Sequence, residues 1–190
     1  MTDPTIICAE ATEALRGGGV ILYPTDTVWG LGCDATNEEA VARVFAIKRR
    51  SEAKSLVLLA ADLDMVARYV KVIPQMAIDL VEVNDAPMTN IYPGAQYLAP
   101  NVVAEDGSVG IRIPLGGFCL DLVRRLRRPL VSTSANISGE PTPARFSEIP
   151  EAIRSAVDYV VPPRFDQGAT GKASQIIRLG LDGEVEIIRK

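Results

Sequence analysis

Val20-Ile21-Leu22-Tyr23-Pro24-Thr25-Asp26-Thr27-Val28-Trp29-Gly30-Leu31-Gly32-Cys33-Asp34 is the stretch on which the reading of the fold turns. Residues 20–23 form a short apolar, β-rich run, and Pro24 ends it because proline has no N–H to give to a ladder. Thr25, Asp26, Thr27, Gly30 and Gly32 follow within a few positions, and then an acidic helix start. Two readings fit. Ligands of open α/β sheets gather just beyond strand ends, and this strand end is crowded with hydroxyls. A tight strand–helix connection with Trp29 closing the core would use the same residues.

The rest of the chain sets the bounds. Its 190 residues can bury a sizeable core, and no linker, repeat or low-complexity segment divides them, so one domain over residues 1–190 is expected. Apolar residues make up 47% and charged residues 23%, as in ordinary globular proteins. A net charge of −4 argues against a general nucleic-acid binder while leaving room for a local basic patch. Cys8, Cys33 and Cys119 are odd in number and far apart, which suggests neither a disulfide framework nor a metal site. There is no signal pattern and no long apolar run, so a cytoplasmic protein without membrane contact is expected. Histidine is absent, which removes the commonest acid–base residue and metal ligand.

Helical and strand signals alternate along the chain. Residues 9–15 read as a helix stopped by Gly17-Gly18-Gly19. Thr36 and Glu39 make a capping-box pattern, opening a helix with Ala40, Val41, Val44, Phe45 and Ile47 on one side. That helix runs into Lys48-Arg49-Arg50, with Lys54 close behind. Cations suit a helix C-terminus, yet four within seven positions also suit an anion. Residues 56–60 read as a strand buried on both faces. Asp62 caps a helix through Tyr69, and Pro74 opens another ending near Val83.

Residues 88–92 and 109–113 read as strands, with Arg112 on the face opposite Ile111 and Ile113. Residues 97–106 look like a loop, and residues 118–127 form an amphipathic helix whose arginines make a solvated face. Leu130-Val131 then leads into Ser132-Thr133-Ser134-Ala135-Asn136, a second polar strand exit. Such a cluster can hold phosphate oxygens, and it is also ordinary turn chemistry. Ser147 is expected to cap a helix to Val157, residues 159–161 to form a strand, and residues 174–179 and 184–188 a hairpin.

Tyr23-Pro24-Thr25-Asp26-Thr27 with Gly30-Leu31-Gly32, then Lys48-Arg49-Arg50, Arg112 in Val-x-Ile-Arg-Ile-Pro, and Ser132-Thr133-Ser134-Ala135-Asn136 with Ser138-Gly139 occur in that order. Together they resemble the YrdC-like family over nearly the whole chain. The resemblance implies an α/β fold: a twisted mixed open β-sheet with flanking helices and a concave, positively lined cleft. It implies threonylcarbamoyl-AMP synthesis from L-threonine, bicarbonate and ATP, with Mg²⁺ accompanying ATP and the product passed to proteins that modify tRNA. No carboxylate pair stands out to hold the metal, so the phosphates are expected to carry it.

That chemistry needs positioned cations and donors more than a nucleophile. Lys48 and Arg50, expected to be solvent-reachable, are assigned to the triphosphate and carbamate, and Ser134 and Asn136 to phosphate oxygens. The resemblance places Thr25, Thr27, Arg112, Ser132 and Ser174 on the threonine side, with Arg112 suited to the carboxylate. It places Lys54, Ser108, Thr142 and Arg189 along the nucleotide. The chain departs from the family pattern at Ala95-Gln96-Tyr97 and at Ser55, and it resembles the short form without an extra C-terminal domain. Two other readings stay open. One is a non-catalytic module contacting tRNA or structured RNA, which the acidity and scarce aromatics disfavour. The other is a carbamoyl-adenylating relative that does not use threonine.

Overall fold

Asp3 accepts the Thr5 amide at 2.8 Å and Pro4 occupies the first turn, so α1 (Pro4–Arg16) starts ahead of the residues 9–15 expected from sequence. Its Ile7, Cys8, Ala11 and Leu15 face inward, and it packs on α5 (Gly117–Leu126). The computed structural model describes residues 3–51 and 56–190.

The central stretch folds as a hairpin. β1 (Ile21–Tyr23) pairs antiparallel with β2 (Gly30–Gly32), where the sequence suggested a direct strand–helix connection. Two glycines hide this strand from propensity reasoning, and the packing explains them. The Tyr23 ring lies across both, within 2.9 Å of where a Cβ would sit on Gly30 or Gly32. A Cβ on Gly32 would also stand 2.0 Å from the Val131 carbonyl oxygen, the group that accepts the Tyr23 hydroxyl at 3.0 Å. Only glycine lets these strands and that ring approach so closely.

α2 (Glu38–Lys48) is capped by Asn37, whose Oδ1 accepts the Ala40 amide at 3.0 Å. The expected Thr36 cap is displaced by one residue because the Thr36 hydroxyl and amide are both taken by Asp34. At its other end Arg49 adopts a left-handed conformation (φ 51°), and the Arg50 amide returns to the Phe45 carbonyl at 2.9 Å. That reversal decides where Arg50 emerges.

β3 (Val57–Leu59) runs between β6 (Leu130–Ser134), antiparallel, and β5 (Val109–Arg112), parallel. Its apolar run fits a strand covered on both faces. α3 (Leu63–Tyr69) starts at Asp62, which accepts the Met65 amide at 2.7 Å, and α4 (Gln75–Val83) follows Pro74, both close to expectation. β4 (Met88–Tyr92) has the expected bounds. The segment read as a loop after it contains a short 3-10 turn at Pro100–Val102. Ala95 bridges to Val70, and exposed Tyr97 takes φ 57°, so the Ala95-Gln96-Tyr97 departure sits in a tight turn.

β6 carries Ser132, Thr133 and Ser134 inside the strand, so the hydroxyls stand on the sheet and not in the turn beyond it. The helix expected from Ser147 to Val157 is shorter: a 3-10 turn at Phe146–Glu148, then α6 (Glu151–Arg154) begun by Pro150. Pro150 forces this restart. Phe146 packs on Trp29 at 5.0 Å between ring centroids, and Trp29 Nε1 donates to Asp166 at 2.7 Å. Trp29 thus does close the core. β7 (Tyr159–Val160), β8 (Gln175–Leu179) and β9 (Val185–Arg189) complete one mixed sheet in the order β7-β1-β2-β6-β3-β5-β4-β8-β9. The topology is that of an open α/β fold, over a continuous core running from Ile7 to Leu179. No helix among the described residues is long and apolar enough to cross a membrane.

Candidate active site

The sheet carries a cleft of about 210 Å³ where seven segments meet. Thr27 to Gly30 come from the β1–β2 connection and Arg50 from the end of α2. Leu56 and Val57 open β3, Arg112 ends β5, and Ser132 to Ser134 come from β6. Ser174 and Arg189 close the far side. Among the described residues the lining holds three arginines and no carboxylate, in a chain whose net charge is −4. Such a wall selects anions.

The threonine-rich loop organises itself. The Thr25 hydroxyl accepts from the amides of Thr27 (3.0 Å) and Val28 (3.2 Å) and donates to the Val28 carbonyl at 2.6 Å. With its own proton spent, Thr25 can only accept at its 2.8 Å contact with Thr27, so the Thr27 hydroxyl is the donor there. The Thr27 oxygen in turn accepts from Arg112 Nη2 at 3.2 Å. Thr25 lies off the cleft wall and holds Thr27 in place. Thr25→Val removes these bonds without changing the side chain's shape. It should lower unfolding stability by about 1–2 kcal/mol in urea titrations, since buried amides lose their partner.

Arg112 is 3% exposed and would be costly alone, but Asp26 Oδ1 meets Nη1 at 2.6 Å. Asp26 Oδ2 also accepts the Leu115 amide at 3.1 Å. The sequence reading placed Asp26 in the central stretch but gave it no role in the site. Its signal was its place between two threonines, which says nothing of a partner 86 residues away. The pair holds the guanidinium in place on the cleft wall.

The second cluster departs from expectation. Lys48 is 2% exposed and absent from the cleft wall, so it is not a solvent-reachable cation. Its Nζ donates to the carbonyl oxygens of Ser134 and, at 2.8 Å, Asn136, and reaches Asn136 Oδ1 at 3.4 Å. The Ser138 amide returns to the Lys48 carbonyl at 2.8 Å. Asn136 is spent in the same way: Nδ2 donates to the carbonyls of Ile137 (3.1 Å) and Glu140 (2.7 Å), and Oδ1 accepts the Ser134 hydroxyl at 2.5 Å. Its amide has no donor left for a phosphate. Lys48 and Asn136 therefore shape the turn that presents Ser134, and Ser134 with Arg50 reaches the cleft.

Burial, reinforced by the charge of Arg50, pulls the Lys48 ammonium from its ordinary 10.5 to about 8. Burial also lowers Arg50 and Arg189 from the usual arginine range. Between pH 8 and 10.5 the unfolded chain holds a proton at Lys48 that the folded chain has released. Folding stability should therefore rise with pH across that window. Urea midpoints of the wild type measured against Lys48→Met should show this gain, because the variant lacks the group.

The remaining expected residues divide. Ser174 is buried, shares a 2.8 Å hydrogen bond with Thr89, and accepts at its carbonyl from Arg189 Nε (2.9 Å) and Nη2 (2.7 Å). Arg189 thereby hangs from the outermost strand over the cleft. Ser108 is not on the cleft: its hydroxyl is bonded to Asp106 at 2.5 Å, and it lines a smaller neighbouring cavity that shares Leu56, Val57 and Ile176 with it. Thr142 is exposed and outside the lining. Lys54 and Ser55 lie outside the described residues. Sequence reasoning also missed Val28, Val57 and Ile176, apolar wall residues that carry no chemical signature.

The protein is an open mixed α/β sheet whose arginine-lined cleft suits an anion. Residues 13–190 match the Sua5/YciO/YrdC family, described as telomere recombination, and the chain belongs to that family. It is 36% identical over 190 residues to a threonylcarbamoyl-AMP synthase of Stenotrophomonas maltophilia, covering 97% of this chain and 98% of that one. Against a synthase of the same name from Halorhodospira halophila it is 34% identical, with 81% of each chain covered. Among solved structures, Sua5 of P. abyssi complexed with L-threonine is similar at TM-score 0.84 and 28% identity, over 94% of this chain. The chain spans about half of that Sua5, 52% of its length. E. coli YciO shares the fold at TM-score 0.80, covering 100% of this chain and 91% of its own.

Proposed function

We propose that this chain is a threonylcarbamoyl-AMP synthase, a nucleotidyltransferase joining L-threonine, bicarbonate and ATP into threonylcarbamoyl-adenylate, pyrophosphate and water. The observation that carries the reading is the convergence of Arg50, Arg112 and Arg189 on one cleft, in a chain whose relatives bear that name. Both ends of the reacting pair are anionic, a carboxylate and a triphosphate.

Threonine's neutral amine attacks bicarbonate carbon, water leaves, and a carbamate results. A carbamate oxygen then attacks the α-phosphorus while the bond to pyrophosphate breaks. Neither step calls for a protein nucleophile, so alignment and charge supply the rate. Arg112, fixed by Asp26 and Thr27, takes the amino-acid carboxylate, and Ser132, Ser174 and Thr27 border its side chain. Arg50 and the Ser134 hydroxyl face the transferring phosphoryl group, and Ser134 becomes a donor once its proton turns from Asn136. Arg189 covers the same pocket from its far wall.

No cluster of three or more acidic, cysteine or histidine side chains suited to a metal occurs among the described residues. Mg²⁺, when present, would come with the phosphates and neutralise their charge. We further propose that the adenylate passes to partner proteins that modify tRNA, in the cytoplasm, where the three buried cysteines stay reduced. Mass spectrometry after incubation with threonine, bicarbonate and Mg-ATP tests the reading. Threonylcarbamoyl-adenylate and pyrophosphate should form together. Adenylate lacking threonine would point to the carbamoyl-adenylating alternative, and RNA binding without turnover to the RNA module.

A further inference from the structure

The sheet ends on two very different edges. β7 is two residues long, partly buried, and soon followed by Pro162-Pro163, as a protected edge is. β9 at the other end is five residues long, holds no proline, and is exposed at every residue. Among the described residues it pairs only with β8. Its apolar side chains are left in the open: Val185 is 50% exposed, Ile187 58% and Ile188 48%. Leu179, directly across from Val185, is 2% exposed, so the covering of the sheet stops between the two strands. Glu186, the charge within the strand, is answered by Arg178 at 3.8 Å.

The backbone of this edge is unspent as well. Bonded and non-bonded pairs alternate along an antiparallel ladder. The Gly180 amide donates to the Glu184 carbonyl at 2.9 Å, which makes Leu179–Val185 and Ile177–Ile187 non-bonded pairs. The N–H and C=O groups of Val185 and Ile187 therefore point away from β8. Ile188 is the extra residue of a bulge against Ile176 and Ile177, so the flat part of the edge is residues 185–187.

Charge says what fits there. Glu184 and Glu186 open the strand, and Arg189 and Lys190 close it. A second copy laid parallel sets like charges side by side, whereas one laid antiparallel sets the acidic half against the basic half. Two-fold pairing must also join residues whose N–H groups face outward. Centred on Val185 it would put Glu184 opposite Glu186, and with Val185 on Ile187 it would put the two Glu186 side chains opposite each other. Centred on Ile187 it avoids both, placing Glu186 opposite Ile188 and Glu184 level with Lys190.

We propose that this chain associates with a second copy of itself by antiparallel pairing of β9 with β9, centred on Ile187. The two-fold axis stands perpendicular to the sheet, so both arginine clefts open on one face, each with its Arg189 carried by the paired strand. A ladder this short makes a small contact, and the association is micromolar or weaker.

Sedimentation velocity of the full chain from about 10 μM to 1 mM, a span suited to that affinity, should show the mass rising from one chain toward two. Ile187→Lys sets two ammonium groups face to face at the axis and keeps the pairing with β8. It should raise the dissociation constant by about tenfold or more with an unchanged thermal midpoint. Cysteine reads the register, because Cys8, Cys33 and Cys119 are buried. Under mild oxidation Ile187→Cys should give a disulfide-linked dimer, and Leu181→Cys, at a site 64% exposed but away from the axis, should not. A chain that stays single across the whole range would overturn the proposal. So would a dimer indifferent to Ile187→Lys, or equal cross-linking of the two cysteine variants.

Discussion

Arg50→Ala should cut pyrophosphate release by about 10²–10³-fold, a loss of roughly 3–4 kcal/mol of transition-state stabilisation. Arg50 and Ser134 both line the cleft, where the proposed reaction would build charge on the transferring phosphoryl oxygens. The loss should fall on kcat more than on the threonine KM, because the proposed partner of the threonine carboxylate, Arg112, stands on another strand. The thermal midpoint should move little. The turn that presents Arg50 is fixed by backbone bonds of Arg49 and Arg50 to Ala46 and Phe45, which the substitution keeps. Parallel measurement of turnover and thermal unfolding checks both halves, and a variant with full turnover would remove Arg50 from the chemistry.

Lys48→Ala should behave differently although Lys48 is only two residues away. Its ammonium ties the carbonyls of Ser134 and Asn136 together from beneath, fully out of solvent. Truncation takes the lysine donor from the Asn136 carbonyl, leaves the Ser134 carbonyl with the Asn136 amide alone, and opens a hole the length of a lysine side chain. A stability loss of about 3 kcal/mol follows from those two costs. Activity should fall as well, because the turn carrying Ser134 loses its anchor. Guanidinium unfolding of the two variants side by side separates the roles: Arg50→Ala near wild type, Lys48→Ala well below it. Equal stability would mean the ammonium contributes nothing to that turn.

The contrast shows where sequence was informative. Strand and helix positions with strong local signals were legible: Asp62 as a cap, Pro74 as a helix start, the alternation of residues 109–113, and the run opening at Leu56. β2 was not, because Gly30-Leu31-Gly32 owes its strand to the Tyr23 ring and the Val131 carbonyl, neither visible in a local window. The candidate site was legible as a set of residue types. Arg50, Arg112, Ser134 and Ser174 do share a cleft. Their different placements were hidden, since spacing cannot tell a lysine turned inward under a loop from an arginine on a cleft wall. Asn136 is the same case: its amide is consumed by Ile137, Glu140 and Ser134, all close in sequence, but only the folded turn brings them into range. Asp26 was silent because its importance is entirely that of its partner, Arg112.

The central claim is that one cleft receives both anions, carboxylate at Arg112 and phosphates at Arg50 and Ser134. A crystal structure of the chain with L-threonine and a non-hydrolysable ATP analogue tests it most directly. The account predicts the threonine carboxylate within hydrogen-bond distance of the Arg112 guanidinium and a phosphate against Arg50 and Ser134, in the same cavity. Threonine or the triphosphate settled elsewhere, with Arg112 and Arg50 untouched, would contradict it.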